Sequence, residues 1–86
     1  MMTDQEILEF CKDRNRNASE KDVKAFRIFA RAFECEDAET PLECHEKVLA
    51  SMEAIQRELV GKSLEEQAAI VLTSGLAKVA ALGADL

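Results

Sequence analysis

The sequence predicts an all-α fold, a small bundle of four helices, and three observations lead to that prediction. The 86 residues include only three glycines and one proline, too few for the many turns of an all-β domain. Hydrophobic residues make up 48% and charged residues 33% of the chain, as is typical of a folded domain. Apolar residues recur at helical spacing in four segments, each of which follows a capping residue. We therefore expect one helical domain over residues 1–86.

The first helix is predicted over residues 4–14. Thr3 and Glu6 have the spacing of a capping box, in which each side chain accepts a hydrogen bond from the backbone amide of the other residue. Ile7 and Leu8 follow on one face of the helix. The helix should end between residues 14 and 17, where two asparagines favour a turn.

The second helix is predicted over residues 20–34, with either Asn17 or Ser19 as its cap. Its apolar residues include three of the four phenylalanines of the chain. At helical spacing these apolar residues are Val23, Phe26, Phe29, Ala30 and Phe33. We therefore expect this helix to form much of the core.

The third helix is predicted over residues 41–60. Thr40 and Glu43 match a capping box, and Pro41 takes the first helical position, where a missing N–H costs nothing. Gly61 suits the position just beyond the helix end. One face of the helix carries an apolar stripe that contains a histidine: Leu42, His45, Leu49, Met52, Ile55 and Leu59. Such a stripe is typical of a helix face that packs on a core.

The fourth helix is predicted over residues 64–82, after the cap Ser63. The connection at residues 60–62 is so short that the third and fourth helices should form an antiparallel hairpin. We expect a broad buried face of Leu64, Ala68, Val71, Leu72, Gly75, Leu76, Val79 and Leu82. A glycine inside a helix costs about 1 kcal/mol relative to alanine, so Gly75 predicts the close approach of a neighbour.

The opposite face of the fourth helix has no charged residue between Glu66 and Lys78. One interpretation is that other helices of the same chain cover this face on both sides. The other is that it meets a second chain, since small residues allow helices to approach closely and uncovered apolar patches mark interfaces. We expect a homodimer that completes the bundle, because small single domains have little core and twofold dimers are common. The candidate interface residues are Ile70, Ser74, Ala77 and Ala81.

Charge is unevenly distributed along the chain, whose net charge is −6. Residues 1–33 have seven basic and six acidic side chains, a net +1, whereas residues 34–66 have three and ten, a net −7. The second helix carries a basic stripe of Lys21, Lys24, Arg27 and Arg31. The stripe and the acidic segment are each most simply solvated helix faces. A functional interpretation is that the stripe binds an acidic partner or a phosphate backbone.

No catalytic, cofactor or metal site is predicted. Residues 61–63 resemble the end of a phosphate-binding loop, but the required earlier glycine is replaced by Gln56 in a helical segment. The spacings of Cys11, Cys35, Cys44 and His45 are irregular, unlike the paired ligands of structural zinc sites. A helix N-terminus favours a Cys44 thiolate, yet a nucleophile needs a converging base, and the chain has one histidine. We therefore expect no enzyme.

The compartment is predicted from what the sequence lacks. Its first residues show no basic region followed by an apolar one, so no secretory signal is expected. The longest apolar run near the C-terminus, residues 68–72, is far shorter than a membrane-spanning helix needs, so no membrane partner is expected. Three cysteines without a secreted-type spacing suggest free thiols in the cytoplasm. The expected function is a non-enzymatic protein–protein interaction module, a regulator, inhibitor or adaptor. The alternative is a nucleic-acid-linked regulator that uses the basic stripe, which the net charge disfavours.

Overall fold

The structure, a computed structural model, describes residues 2–84. It contains five α-helices: α1 (Asp4–Arg14), α2 (Glu20–Ala32), α3 (Pro41–Leu59), α4 (Leu64–Leu72) and α5 (Gly75–Gly83). No strand occurs among residues 2–84. The all-α helical bundle is confirmed, and α1 has the predicted bounds. The predicted fourth helix is wrong in one respect, because it is two helices.

Local hydrogen bonds cap the N-termini of α1 and α2 at residues that the sequence predicts. Thr3 Oγ1 accepts from the Glu6 amide at 3.2 Å, and Glu6 Oε1 accepts from the Thr3 amide at 3.0 Å. Of the two candidate caps of α2, Ser19 is the one used, and Asp22 Oδ2 accepts from its amide at 2.8 Å. Both are complete capping boxes, which satisfy amides that a helix leaves without partners.

Local interactions also set the two ends of α3. Thr40 Oγ1 accepts from the Glu43 amide at 3.2 Å and Pro41 is the first helical residue. Beyond the C-terminal end, Gly61 has φ +75°, a left-handed conformation in which glycine is favoured. The chain reverses there, and α4 packs back on α3, where Gln67 Nε2 donates to the Leu59 carbonyl at 3.1 Å.

The end of α2 comes two residues earlier than predicted. Glu34 has φ +57°, and its amide donates to the Arg31 carbonyl at 3.2 Å. The next amide, of Cys35, donates to the Ala30 carbonyl at 2.8 Å. These two bonds form a Schellman motif, in which a non-glycine residue takes the left-handed position. The motif turns the Cys35 side chain inward, where it is fully buried.

The break between α4 and α5 is made by two hydroxyl side chains. Thr73 Oγ1 donates to the Ala69 carbonyl at 3.0 Å, and Ser74 Oγ donates to the Val71 carbonyl at 2.6 Å. Ser74 Oγ also accepts from the Leu76 amide at 3.2 Å and so caps α5. These bonds compete with a continuous helical ladder, so the chain changes direction at residues 73–74.

Gly75 lies at the start of α5, against the ring of Phe33. A Cβ atom at this position would lie 2.6 Å from Phe33 Cε1 and 2.8 Å from Cδ1. The prediction that a neighbour approaches Gly75 closely is therefore confirmed, although the residue begins a helix and does not interrupt one. Through this contact α5 packs on α2.

The core lies between α1, α2, the first half of α3 and the connection at residues 33–40. Its buried side chains are Met2, Ile7, Val23, Ala30, Cys35, Ala38, Cys44 and Val48. Phe26, Phe29 and Phe33 are half-buried and pack against this cluster, as expected of a helix that contributes much of the core.

The buried face predicted for residues 64–82 is formed only in part: Leu64, Ala68 and Leu72 are exposed, and the other five residues are half-buried. Neither α4 nor α5 has a buried residue, and Leu64 and Leu72 are 84% and 73% exposed. The break at residues 73–74 explains this, since α5 packs on α2 and not on α3. The apolar stripe of α3 consequently lacks the long antiparallel partner that the sequence predicts, and Leu42, Leu49 and Met52 remain exposed.

Replacing Gly75 with alanine tests the α2–α5 contact. We expect Gly75→Ala to lower the free energy of unfolding by about 1–3 kcal/mol, because the new methyl group overlaps a packed aromatic ring. The matched control is Gly83→Ala, where a Cβ meets nothing within 4 Å. Urea denaturation should show the loss for Gly75→Ala alone, and equal stability of the two variants would contradict the contact.

Candidate interaction surface

An apolar groove of about 210 Å³ lies between α2 and α3, and we call it the α2–α3 groove. It is lined by Phe26, Phe29, Cys44, His45, Val48, Leu49 and Met52. None of these side chains carries a formal charge when the histidine is neutral. Concave, mostly apolar surfaces of this kind are the ordinary sites at which proteins receive a ligand or a partner helix.

Aromatic contacts from α1 fix one side of the groove. The ring of Phe10 lies 5.8 Å from that of Phe26, edge to face, and 5.4 Å from the ring of His45. The Arg14 guanidinium lies 3.8 Å above the Phe10 ring, in a cation–π contact. These contacts hold the α2 and α3 walls in register, so the groove is part of the fold itself.

The floor of the groove is buried and its α3 rim is not. Val48 and Cys44 are 8% and 1% exposed, whereas Leu49 and Met52 are 46% and 37% exposed. The sequence placed Leu49 and Met52 on a stripe typical of a core-facing surface. Their exposure follows from the helix break, because the chain that would have covered them turns towards α2. In the sequence, the run Thr73–Gly75 is the signal that could have indicated this helix break.

A second apolar surface lies on the outer side of α4. Leu64, Ala68 and Leu72 are exposed, and their i, i+4, i+8 spacing places them along one side of the helix. We call these three residues the α4 stripe. Two of them are large side chains that were expected inside the bundle.

The four predicted interface residues do not form one exposed face. Ile70, Ser74 and Ala77 are half-buried, and Ala81 is exposed. The helix break separates Ile70 in α4 from Ala77 and Ala81 in α5, and Ser74 caps α5 through its hydroxyl. A role for these residues in contact with another chain stays a prediction.

The basic stripe of α2 is partly compensated by carboxylates. Arg27 Nε donates to Asp4 Oδ1 at 2.7 Å, and Arg31 Nε donates to Glu36 Oε1 at 3.1 Å. Lys21 and Lys24 are exposed. A shallow depression of about 220 Å³ is bordered by Lys24, Arg27, Ile28 and Arg31. The structure therefore brings the predicted stripe together on one side of α2, with two of its charges paired.

Two cysteines meet in the core. Cys35 and Cys44 are 0% and 1% exposed, and their Sγ atoms lie 2.7 Å apart. Burial, followed by the contact with Cys35, raises the pKa of the Cys44 thiol to about 12. Burial also raises the pKa of the half-buried Cys11. Because the thiolate is the nucleophile, this arrangement disfavours cysteine catalysis at neutral pH, despite the position of Cys44 near a helix N-terminus.

Within residues 2–84, no three histidine, cysteine or carboxylate side chains come together in a group that could hold a metal ion. Over the same residues, no helix is long and apolar enough to cross a membrane.

Comparisons of this chain with protein-family models, with curated proteins and with solved structures found no match. What the chain does is therefore inferred from its own surfaces.

Thiol titration of the fully reduced protein tests the burial of the cysteine pair. At pH 8 a thiol with a pKa of about 12 is ionised in only about one molecule in ten thousand. We expect an aromatic disulfide reagent to react first with Cys11 and to reach the other two thiols only as the fold opens.

The control for this titration is Cys11→Ser, which should remove the first phase and leave the slow phase unchanged. Addition of denaturant should make all the remaining thiols react at once. Rapid reaction of Cys44 in the native protein would contradict the buried geometry.

Proposed function

We propose that this chain is a non-enzymatic protein–protein interaction module, a small cytoplasmic regulator, inhibitor or adaptor that acts through helix faces as a homodimer. The observation that carries the proposal is the half-exposed apolar α2–α3 groove. In the proposed dimer, the α4 stripe of one copy occupies the groove of the other, and twofold symmetry repeats the contact.

The area of exposed surface supports a second copy as the occupant. The chain exposes 6201 Å², whereas a folded monomer of 9.5 kDa usually exposes about 5,000 Å². The excess of roughly 1,200 Å² is comparable to the ~800 Å² that each partner buries in an interface of standard size. The radius of gyration, 14.1 Å, likewise exceeds the ~12 Å of a compact domain of this length.

The positions of the exposed side chains support the choice of faces for the proposed dimer. Among residues 2–84, the six large hydrophobic residues that are exposed lie in α3, in the α3–α4 connection or in α4: Leu42, Leu49, Met52, Val60, Leu64 and Leu72. Helices α1 and α2 contribute none of them. An interface on this side would therefore remove most of the unfavourable apolar exposure from water.

Charge also favours this pairing. Residues 67–77, which include the C-terminal half of the α4 stripe, contain no charged residue, and the lining of the groove contains none besides His45. The uncharged residues 67–72 of α4 can enter such a groove without leaving a buried charge unpaired, and Glu65 and Glu66 in the first turn of α4 are both exposed. The alternative contact, groove against groove, would bring the acidic residues of two α3 helices together.

Single glutamate substitutions test the dimer. We expect the wild-type chain to have twice the monomer mass in sedimentation equilibrium at high micromolar concentration. Leu49→Glu in the groove and Leu72→Glu in the α4 stripe should each raise the dissociation constant about tenfold or more, because each puts a carboxylate in an apolar contact. Both positions are exposed in the protomer, so the helical circular dichroism signal should not change.

The matched control is Ala54→Glu, which adds the same charge to an exposed position of α3 outside the groove lining. It should leave the dissociation constant within about twofold. A mixture of Leu49→Glu and Leu72→Glu chains gives a sharper result, because a mixed dimer retains one unaltered groove facing one unaltered stripe. The mixture should associate more tightly than either variant alone. A monomeric wild-type chain, or a mixture no tighter than its components, would contradict the proposed contact.

The nucleic-acid alternative has less support. Two of the four cations in the basic stripe are paired with carboxylates, and the net charge of the chain is −6. The effect of added salt on binding separates the two alternatives, because it has opposite signs for them. Nucleic-acid binding weakens steeply as salt is added, whereas association of two copies of an acidic chain is weakened by mutual repulsion that salt screens.

A further inference from the structure

We propose that Cys35 and Cys44 form an intramolecular disulfide when the protein meets a small disulfide oxidant of the glutathione type. The Sγ atoms are in contact at 2.7 Å, and both side chains belong to the buried core. Cys44 also belongs to the floor of the α2–α3 groove, but formation of the disulfide does not depend on the proposed dimer.

The geometry needs little change for the bond to form. The Sγ atoms must approach from 2.7 Å to about 2.05 Å, a displacement that rotation of the side chains can supply. The backbone around Cys35 is held in place, since its amide donates to the Ala30 carbonyl and its carbonyl accepts from the Ala38 amide at 3.2 Å. On the other side, Cys44 lies in the first turns of α3, which the Thr40 cap and Pro41 fix.

The reaction is a thiol–disulfide exchange in two steps. The Cys35 thiolate attacks one sulfur of the small disulfide, whose S–S bond breaks and releases one small thiolate. The Cys44 thiolate then attacks the Cys35 sulfur of the mixed disulfide and releases the second small thiolate. Two electrons pass from the protein to the oxidant, and the two protons of the protein thiols go to the two small thiolates. We assign the first attack to Cys35 because its connection can open without unwinding α3.

Burial determines when the reaction occurs. Both thiols are enclosed, so the oxidant reaches them during folding or when the connection at residues 33–40 opens. In a reducing compartment both cysteines remain thiols. The disulfide between them forms when the ratio of small disulfide to small thiol rises. The third cysteine, Cys11, is half-buried on α1 and takes no part.

The test is refolding of the reduced full-length chain in a buffer of reduced and oxidised glutathione, followed by acid quenching, alkylation and mass spectrometry. We expect the product to lose two hydrogens and peptide mapping to link Cys35 to Cys44, in wild type and in Cys11→Ser alike. The equilibrium constant for closing this pair should be at least about tenfold larger in the folded chain than in concentrated guanidinium chloride, because the fold holds the two sulfurs together.

The comparison with the denatured chain is necessary because the three cysteines can close three different loops. Of these, the loop from Cys35 to Cys44 is the shortest. Loop-closure entropy alone would give this pair about three quarters of the products in an unfolded chain. A folded chain that closes the pair no more favourably than the denatured chain, or that pairs through Cys11, would overturn the proposal.

Thermal unfolding of Cys11→Ser gives a second measurement that needs no further variant. The oxidised form should melt about 10 °C above the reduced form, because a cross-link that fits the native geometry restricts only the unfolded chain. A lower Tm for the oxidised form would show that the bond strains the fold and would also overturn the proposal.

Discussion

The arrangement of the second half of the molecule depends on the helix break at Thr73 and Ser74. The two hydroxyl groups satisfy backbone carbonyls at the end of α4, and Ser74 then caps α5. Because Gly75 has no side chain, α5 can begin directly against the Phe33 ring. One local change of direction thus decides that α5 packs on α2, and it leaves α3 without a partner along its apolar stripe.

Two surfaces follow from this constraint. The rim of the α2–α3 groove is half-exposed because the chain that would have covered it turns away, and the α4 stripe is exposed because α4 contacts only α3 and α5. Small domains have few buried apolar residues with which to offset chain entropy, so uncovered leucines are costly. A second copy that brings the stripe of one chain to the groove of the other would relieve both exposures with a single type of contact.

Local interactions are the part of the fold that the sequence predicts well. The bounds of α1, the caps Thr3, Ser19 and Thr40, and the left-handed Gly61 all depend on hydrogen bonds or dihedral preferences within a few residues. The sequence predicts the end of α2 two residues too far along the chain, because Glu34 takes a left-handed conformation that its residue type does not favour. Its conformation is set by the Schellman hydrogen bonds and by the packing of Cys35.

The candidate site was less predictable because it depends on contacts between distant residues. A threonine or serine inside a helical pattern can also face solvent, so residues 73–74 alone do not determine whether the helix continues. The Gly75–Phe33 contact favours the break, and its partners are 42 positions apart. The groove and the Cys35–Cys44 contact likewise arise only once the path of the connection at residues 33–40 is known.

The most direct test of the proposed dimer is an isotope-filtered NMR experiment on a mixture of labelled and unlabelled chains. It detects only contacts between protons of different copies. The account predicts intermolecular cross-peaks between the methyl groups of Leu64 and Leu72 and the rings of Phe26 and Phe29. Cross-peaks confined to other surfaces, or none at concentrations where the mass is that of a dimer, would contradict it.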